Sequence, residues 1–242
     1  MKLAPGRCGE WAALVAPAGA GLCQELAGGD LRARASRILR DDQRSFVGLM
    51  AIGGEWIVAK SPREKDRRRW SRLTSLGRES HAFRTLRALA ELETVGVPSA
   101  RGLLALERRH WGQVIESWLF TRWVEGTPCT AADVPEVLAL LDRMHRAGWV
   151  HGDAHIQNFI RGPNGVETLD PGPHRKRWGR ASAAYDLILL RNSSADVGQA
   201  FERARPTAGS DTAFRIANAY DALIHHWRHW KRVVREWAGG KR

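Results

Sequence analysis

Cysteines are scarce in this chain, acidic residues are outnumbered, and long apolar runs are missing. The three cysteines, Cys8, Cys23 and Cys129, lie far apart without metal-ligand spacing, which argues against a zinc site and fits a reducing compartment. The longest weakly polar run covers only residues 11–22 and contains Pro17, so it is too short to span a bilayer and makes a poor signal peptide. We therefore expect an ordered protein of the cytoplasm.

The charge balance is the strongest signal in the composition. Thirty-eight Lys and Arg stand against 26 Asp and Glu, which gives a formal net charge of +12 at pH 7. A surplus of this size favours an anionic partner: nucleic acid, an acidic membrane surface, or a phosphorylated or carboxylated substrate. Charge alone does not choose among them.

The hydrophobic pattern predicts strands early in the chain and helices later. Between residues 34 and 60, three short apolar runs indicate antiparallel strands. Gly53 and Gly54 suit a tight hairpin between the last two, because glycine tolerates positive φ. Apolar residues then recur at helical spacing, and Glu79, one turn before Phe83, is expected on the inward face of that helix.

The stretch WVHGDAHIQNFI, residues 149–160, places polar residues inside an apolar run. It follows a second predicted amphipathic helix that ends at Gly148. A surface turn is one interpretation, since Gly and Asp are common in turns. The other is a catalytic loop, because kinases use the spacing His-Gly-Asp-x-x-x-x-Asn. There the Asp, here Asp153, receives the proton of the nucleophile, and the Asn, here Asn158, holds a metal ion.

The other groups needed for phosphoryl transfer have candidates in the expected order. Lys60 ends the third predicted strand in IVAK, Glu79 lies on the next helix, and Asp170 follows the loop in LDPG. Singly, each has an ordinary explanation as a solvated lysine, a surface ion pair or a turn former. Their joint order favours a kinase, because charge neutralisation and positioning carry most of phosphoryl transfer.

These motifs, with VEG before the second helix and the basic run SPREKDRRRWSRL after Lys60, resemble the lipopolysaccharide core heptose kinases of the protein-kinase-like superfamily. The resemblance covers roughly residues 34–195. It implies an α+β, two-lobed kinase-like fold, with a small antiparallel sheet and one helix in the N-lobe and a mostly helical C-lobe. It also implies ATP and Mg²⁺ as cofactors, and phosphorylation of a heptose hydroxyl of the inner core on the cytoplasmic side of the inner membrane.

The resemblance also divides the chain and assigns its residues. Residues 1–33 are an N-terminal extension, 34–121 the N-lobe and 122–242 the C-lobe of one kinase-like domain, expected to be a monomer. The implied roles are Asp153 as catalytic acid-base group, Asn158 and Asp170 as metal ligands, Lys60 as phosphate anchor paired with Glu79, and Arg122, Trp123 and Val124 as the hinge whose backbone meets adenine.

Three features depart from protein kinases or extend beyond the core motifs. No G-x-G-x-x-G precedes Lys60, so the loop over the ATP phosphates must differ, and Pro171 replaces the aromatic residue after the metal-binding Asp. Asp186, in AYDLILL, is either a brace for the catalytic loop or an ordinary acid near a helix N-terminus.

Two basic segments are candidates for contacts with anions. The stretch HRKRWGR, at 174–180, falls where kinases receive the acceptor, and it offers cations to an anionic lipopolysaccharide core or lies in a solvated loop. Its cations are Arg175, Lys176, Arg177 and Arg180. The segment from Lys60 to Arg78 is also basic, and an ordinary solvated surface explains it equally well.

The C-terminal stretch has an apolar stripe at helical spacing, with cations on the other side. It indicates either a helix at a membrane interface, giving peripheral contact with the inner membrane, or the last C-lobe helix with its apolar face in the core, which we expect. The members of the stripe are Tyr220, Leu223, Ile224, Trp227, Trp230, Val234 and Trp237.

Other functions share these residues. Aminoglycoside phosphotransferases have the same motifs, but their substrates are cations, which a protein at +12 repels. A small atypical protein kinase is a further alternative. A pseudokinase is disfavoured by the complete set of catalytic residues, and a nucleic-acid-binding module by the lack of a stacking or groove-reading motif.

Overall fold

The computed structural model describes residues 2–26, 28–63, 77–172, 174–175 and 179–239, and for residues 231–239 it describes the backbone alone. The chain forms two compact units. The first unit comprises Met1–Thr127 and Ile160–Pro173, and the second unit comprises Pro128–Phe159 and His174–Arg242. Most of the predicted basic segment after Lys60, together with Lys176 and Arg177, lies outside the described residues.

The described residues contain twelve strands and six α-helices. The strands are β1 Ala4–Cys8, β2 Trp11–Val15, β3 Arg37–Asp41, β4 Phe46–Ile52, β5 Glu55–Ser61, β6 Gly102–His110, β7 Gln113–Arg122, β8 Thr127–Pro128, β9 Trp149–Val150, β10 Phe159–Gly162, β11 Gly165–Thr168 and β12 His174–Arg175. The helices are α1 Leu22–Leu26, α2 His81–Thr94, α3 Val134–Arg146, α4 Arg180–Arg191, α5 Ala195–Ala204 and α6 Thr212–Gly239.

A seven-stranded antiparallel sheet is the frame of the first unit, in the order β1-β2-β6-β7-β5-β4-β3. The three strands predicted between residues 34 and 60 are present as β3, β4 and β5. Gly53 and Gly54 have φ of 59° and 79°. Such values suit a two-residue hairpin turn, so the predicted turn is confirmed.

The two faces of this sheet are covered differently. One face carries a core that includes Phe46, Met50, Ile57 and Trp118, and α1 packs against it through its leucines. The other face packs against α2. Its buried residues there are Leu14, Ala105 and Leu119 from the sheet and Ala82, Phe83, Leu86 and Leu89 from the helix. The inward residues that helical periodicity predicted for α2 are therefore confirmed.

Residues 1–33, expected to be an extension, instead supply β1, β2 and α1 to the first unit. The amide of Ala16 donates to the carbonyl of Leu103 at 2.9 Å, directly after β2 pairs with β6. Cys8 is buried in the same core, and burial raises the pKa of its thiol to about 12. The division also differs from the expected one later in the chain, because residues 160–173 group with the sheet.

Capping explains where α2 begins. The Ser80 hydroxyl accepts from the amide of Phe83 at 3.2 Å, while the Ser80 amide donates to the buried carboxylate of Glu107 at 3.0 Å. A serine at this position is a strong N-cap. Glu79 therefore precedes the helix, and the expectation that it lies on the inward helical face is wrong.

The second unit is mostly helical. A capping box formed by Thr130 and Asp133 starts α3, whose apolar face is buried. On α5 and α6, Phe201 and Phe214 stack with ring centroids 5.9 Å apart. Gly148 follows α3 with φ of 83°, as expected for a residue that ends a helix.

Four residues of the predicted stripe on α6 are exposed and Ile224 is half-buried, which corrects the expectation that the stripe lies in the core. The exposed fraction is 54% for Tyr220, 66% for Leu223, 53% for Trp227 and 58% for Trp230. The core contacts of α6 come from a different side of the helix, where Phe214 and Ala217 are buried. Val234 and Trp237 lie beyond the described side chains.

Within the residues described above, no helix is both long and apolar enough to cross a membrane.

We expect Gly19→Ala to lower the free energy of unfolding by about 1–3 kcal/mol, because a side chain there overpacks the contact with β6. A Cβ at Gly19 would lie 2.1 Å from the carbonyl oxygen of Leu103, so the backbone must shift. Gly21→Ala is the matched control, since a Cβ there meets nothing within 4 Å. Urea denaturation of both variants measures the difference, and equal stability would show that residues 1–33 do not pack on the sheet.

Candidate active site

Lys60 and Asp170 form an ion pair in the first unit, although 110 residues separate them in sequence. Lys60 lies on β5 opposite Leu119 of β7, on the sheet face that packs against α2. The side chains of Lys60 and Asp170 are 30% and 40% exposed. The pair thus joins two of the residues assigned to phosphate and metal binding, and it leaves both accessible to a ligand.

The backbone before Asp170 is anchored to the first unit. Thr168, which is buried, donates its amide to the carbonyl of Pro98 at 3.1 Å and accepts from the amide of Ala100 at 3.0 Å. Asp170 itself has φ of 48°. Asp is among the residues that adopt this left-handed conformation with a modest cost, and such backbone often marks functional sites.

Glu79 does not pair with Lys60, contrary to the expectation from the resemblance. Its carboxylate accepts from Arg87, at 2.7 Å from Nη2 and at 3.0 and 3.1 Å from Nε. This hydrogen bond raises the pKa of Arg87. Because Glu79 lies before the helix and forms an ion pair with Arg87, the partner of the Lys60 ammonium is Asp170.

The predicted hinge follows β7. The amide of Arg122 donates to the carbonyl of Arg101, and the amide of Trp123 donates to the carbonyl of Trp56, both at 2.9 Å. Among the described residues, the amide of Val124 has no hydrogen-bond partner. Arg122 is paired with Ile57 on β5, three residues before Lys60. At the rise of a strand this is about 10 Å from the lysine.

The catalytic-loop motif has a compact local structure in the second unit. The carbonyl of Asp153 accepts from the amide of His155 at 2.8 Å and from Nδ2 of Asn158 at 2.7 Å. The carboxylate of Asp153 is exposed. Because Asn158 uses its NH₂ group inside the loop, its side-chain oxygen is the atom left for a ligand.

Asp186 on α4 braces this loop, as one of the two interpretations of the sequence proposed. Its carboxylate is 1% exposed and accepts from the amides of His151 at 2.7 Å and Gly152 at 2.8 Å. The same carboxylate contacts Nε2 of His145, on α3, at 2.9 Å. The buried carboxylate therefore holds the loop in place through two backbone hydrogen bonds.

Sequence reasoning missed two supports of the loop. One is His145, which lies on the buried side of α3 and contacts Asp186. The other is Ser193, whose hydroxyl accepts from the amide of Ile156 at 2.9 Å and donates to the carbonyl of Leu189 at 3.1 Å. No sequence signal marked Ser193, because a serine after a helix has many uses.

The structure describes two of the four predicted acceptor residues, both in the second unit. Arg175 lies on β12, which pairs with β9, and its guanidinium lies 5.1 Å from the ring centroid of Trp149. Trp149 comes two residues before His151 in the loop segment. Arg180 starts α4, and its guanidinium is 3.2 Å from Asp211. Lys176 and Arg177 lie outside the described residues.

Arg180 also lines a cleft of about 530 Å³ in the second unit. Asp142 and Asp211 contribute carboxylates, and they pair with Arg205 and Arg180. Arg146 lines the same cleft as a further cation. The cleft is therefore lined by side chains of both charge signs, with more arginines than aspartates.

The residues assigned to metal binding suit Mg²⁺ in their chemistry. Asp170 offers an exposed carboxylate and Asn158 an amide oxygen, which are oxygen ligands of the kind that Mg²⁺ prefers. In nucleotide enzymes, Mg²⁺ usually takes one or two protein oxygens together with substrate phosphates and water. Over the described ranges, no group of three His, Cys, Asp or Glu side chains suits a metal ion.

Comparison with solved structures shows the fold. The structure of WaaP in complex with acyl carrier protein is similar with a TM-score of 0.51 at 18% sequence identity, over 83% of this chain and 88% of that chain. A thermostable mutant of the aminoglycoside phosphotransferase APH(4)-Ia is similar with a TM-score of 0.52 at 12% identity, over 84% and 90%. Neither a family model nor a curated protein matches the sequence. The expected α+β, protein-kinase-like fold is confirmed.

We expect Asp186→Asn to lower turnover by about 10²-fold, because an amide cannot replace both acceptor oxygens, and a 1 Å displacement of the loop has effects of that size. Backbone amide exchange at His151 and Gly152 should become faster. Asp196→Asn, an exposed change at the start of α5, is the control. Unchanged exchange and turnover in Asp186→Asn would refute the bracing role.

Proposed function

We propose that this protein is an ATP-dependent kinase that phosphorylates a heptose hydroxyl of the lipopolysaccharide inner core. One observation carries the proposal: Lys60 and Asp170 form an ion pair in the first unit. The pair brings together the predicted phosphate anchor and a predicted metal ligand, as phosphoryl transfer needs. The similarity in fold to an aminoglycoside phosphotransferase supports phosphoryl transfer in general. The heptose acceptor rests on the sequence resemblance and on charge.

Each residue has a role that its surroundings permit. The amide of Val124 donates to the adenine ring, and the ammonium of Lys60 binds the phosphates. Asp170 and Asn158 would hold Mg²⁺, which would neutralise charge on the phosphates. The exposed Asp153 carboxylate accepts the proton of the acceptor hydroxyl as the hydroxyl oxygen bonds to the γ-phosphorus and the bond to ADP breaks.

The acceptor is proposed to be anionic. The net charge of +12 attracts anions and repels cationic aminoglycosides. Arg175 is exposed, and its backbone pairs with Trp149, close in sequence to the catalytic loop. Arginine binds carboxylate or phosphate groups with two parallel hydrogen bonds, which suits a charged core oligosaccharide.

The decisive experiment is incubation of the full chain with labelled ATP and a panel of acceptors. The panel contains purified core lipopolysaccharide, an aminoglycoside and a generic protein substrate. We expect label in lipopolysaccharide alone, and mapping the labelled sugar identifies the hydroxyl. Label in the aminoglycoside or in the protein would instead establish one of the alternative kinase activities.

We expect Asp153→Asn to lower kcat by about 10²–10⁴, which is the usual contribution of a positioned proton acceptor. The affinity for Mg-ATP should stay within a factor of about two, because Lys60 and Asp170 are untouched. Titration of nucleotide binding, combined with turnover on the labelled acceptor, measures both quantities. Near-normal turnover would remove Asp153 from this role.

Asp170→Asn provides the contrast to Asp153→Asn. Because Asn keeps the shape and tolerates left-handed backbone, the fold should be retained while both Mg-ATP affinity and turnover fall. Unchanged affinity in this variant would show that Asp170 does not hold the metal-nucleotide complex.

We expect Arg175→Glu to raise the KM for lipopolysaccharide about tenfold, which corresponds to ~1.4 kcal/mol for the loss of a hydrogen bond to a charged group. The increase should shrink at high ionic strength, since exposed charges are screened. Arg203→Glu, an exposed change of the same charge on α5, is the control. If both variants raise KM equally, overall charge rather than a site at Arg175 attracts the acceptor.

A further inference from the structure

One surface of the second unit is unusually apolar for an exposed helix. Of the large apolar side chains that are exposed in the described part of the chain, five lie on α6: Ile216, Tyr220, Leu223, Trp227 and Trp230. They recur at intervals of three or four residues, so they share one face. From Ile216 to Trp230 this face extends about 21 Å along the helix. We call these five residues the α6 stripe.

The α6 stripe meets the surface that holds α6 on the protein at one edge only, where the ring of Tyr220 lies 5.6 Å from that of Tyr185 on α4. Asp221 is 6% exposed and accepts from Tyr185 at 3.4 Å and from Asn192 at 3.0 Å, both on or next to α4. Asn218 accepts from Arg191 at 2.6 Å. These hydrogen bonds fix α6 by a side other than the one that carries Leu223 and Trp230.

The composition of α6 selects among possible occupants of the stripe. Residues 212–242 carry seven Lys and Arg against two acids, and one of the acids, Asp221, is buried. Like charges disfavour the stacking of two such helices in a dimer. An anionic lipid surface attracts them instead.

The aromatic residues of the stripe favour the same occupant. Tryptophan and tyrosine combine an apolar ring with a polar N–H or O–H, and for this reason they concentrate at the boundary between lipid headgroups and acyl chains. A helix with such residues on one face and cations elsewhere lies in the plane of the interface.

We propose that the α6 stripe docks the protein on the surface of an anionic phospholipid bilayer. The helix lies parallel to the surface, with Leu223 and Trp230 entering the boundary between headgroups and acyl chains. The inference is independent of the proposed function, because it concerns binding to lipid and requires no catalysis.

The test is flotation of the full chain with phosphatidylcholine vesicles, with and without phosphatidylglycerol. We expect binding to the anionic vesicles alone, and a Kd about tenfold or more higher for the double variant Leu223→Ser/Trp230→Ser, because the buried apolar area is lost. Trp111→Ser is the matched control, because Trp111 is 85% exposed and belongs to the first unit, where it lies between β6 and β7. Melting curves check that all variants are folded.

Each other outcome overturns the proposal. Failure to bind anionic vesicles refutes it directly. Equal binding by the double variant and the wild type would mean that charge alone holds the protein on lipid. If the wild type instead sediments as a dimer, does not bind vesicles, and loses the dimer in the double variant, the stripe would be assigned to contact with a second copy of the chain. Quenching by brominated lipid that is the same in wild type and Trp230→Ser would place that ring outside the bilayer.

Discussion

A buried carboxylate, that of Asp186, organises the second unit around its polar loop. A buried carboxylate is costly unless it makes hydrogen bonds, and here two backbone amides of the loop donate to it while the imidazole of His145 contacts it at 2.9 Å. The stabilisation is mutual, because the carboxylate accepts hydrogen bonds from two loop amides that would otherwise lack a protein partner. The HGD sequence is therefore a structural requirement as well as a chemical one: its amides hold the segment while its aspartate side chain remains exposed.

The register of the antiparallel strands has a comparable role in the first unit. Pairing of β5 with β7 places Ile57 opposite Arg122 and Lys60 opposite Leu119, so the lysine and the hinge are fixed on adjacent strands. A slip by one residue would turn Lys60 to the opposite face of the sheet, where Ile57 and Ala59 now lie. The buried neighbours Ala59 and Ile57 prevent that slip, because they would have to leave the core.

Local patterns were sufficient for part of this structure. Alternation and the Gly53-Gly54 turn specified β4 and β5, and helical periodicity specified the buried face of α2. The expectation about Glu79 failed because the start of α2 was placed too early, although the serine at position 80 is an N-cap signal that leaves Glu79 outside the helix. Asp186 could be nominated from its position, but Ser193 could not.

Long-range strand pairing and the exposure of side chains were harder to predict from the sequence. The first strands contain alanine, glycine and proline, which are weak strand formers, and only pairing with β6 makes them part of the sheet. For α6, the same periodicity describes a core helix and a surface helix. The buried residues Phe214, Ala217 and Asp221 decide the question, since they occupy another side of the helix and leave the aromatic stripe exposed.

The left-handed backbone at Asp170 has an evolutionary consequence. Glycine and asparagine adopt this conformation as easily as aspartate, so substitution by either would remove a carboxylate without straining the chain. The metal-binding role proposed for Asp170 could therefore be lost without loss of folding. A lineage that no longer needed phosphoryl transfer could drift to an inert descendant with the same architecture, which would then be free to serve as a scaffold.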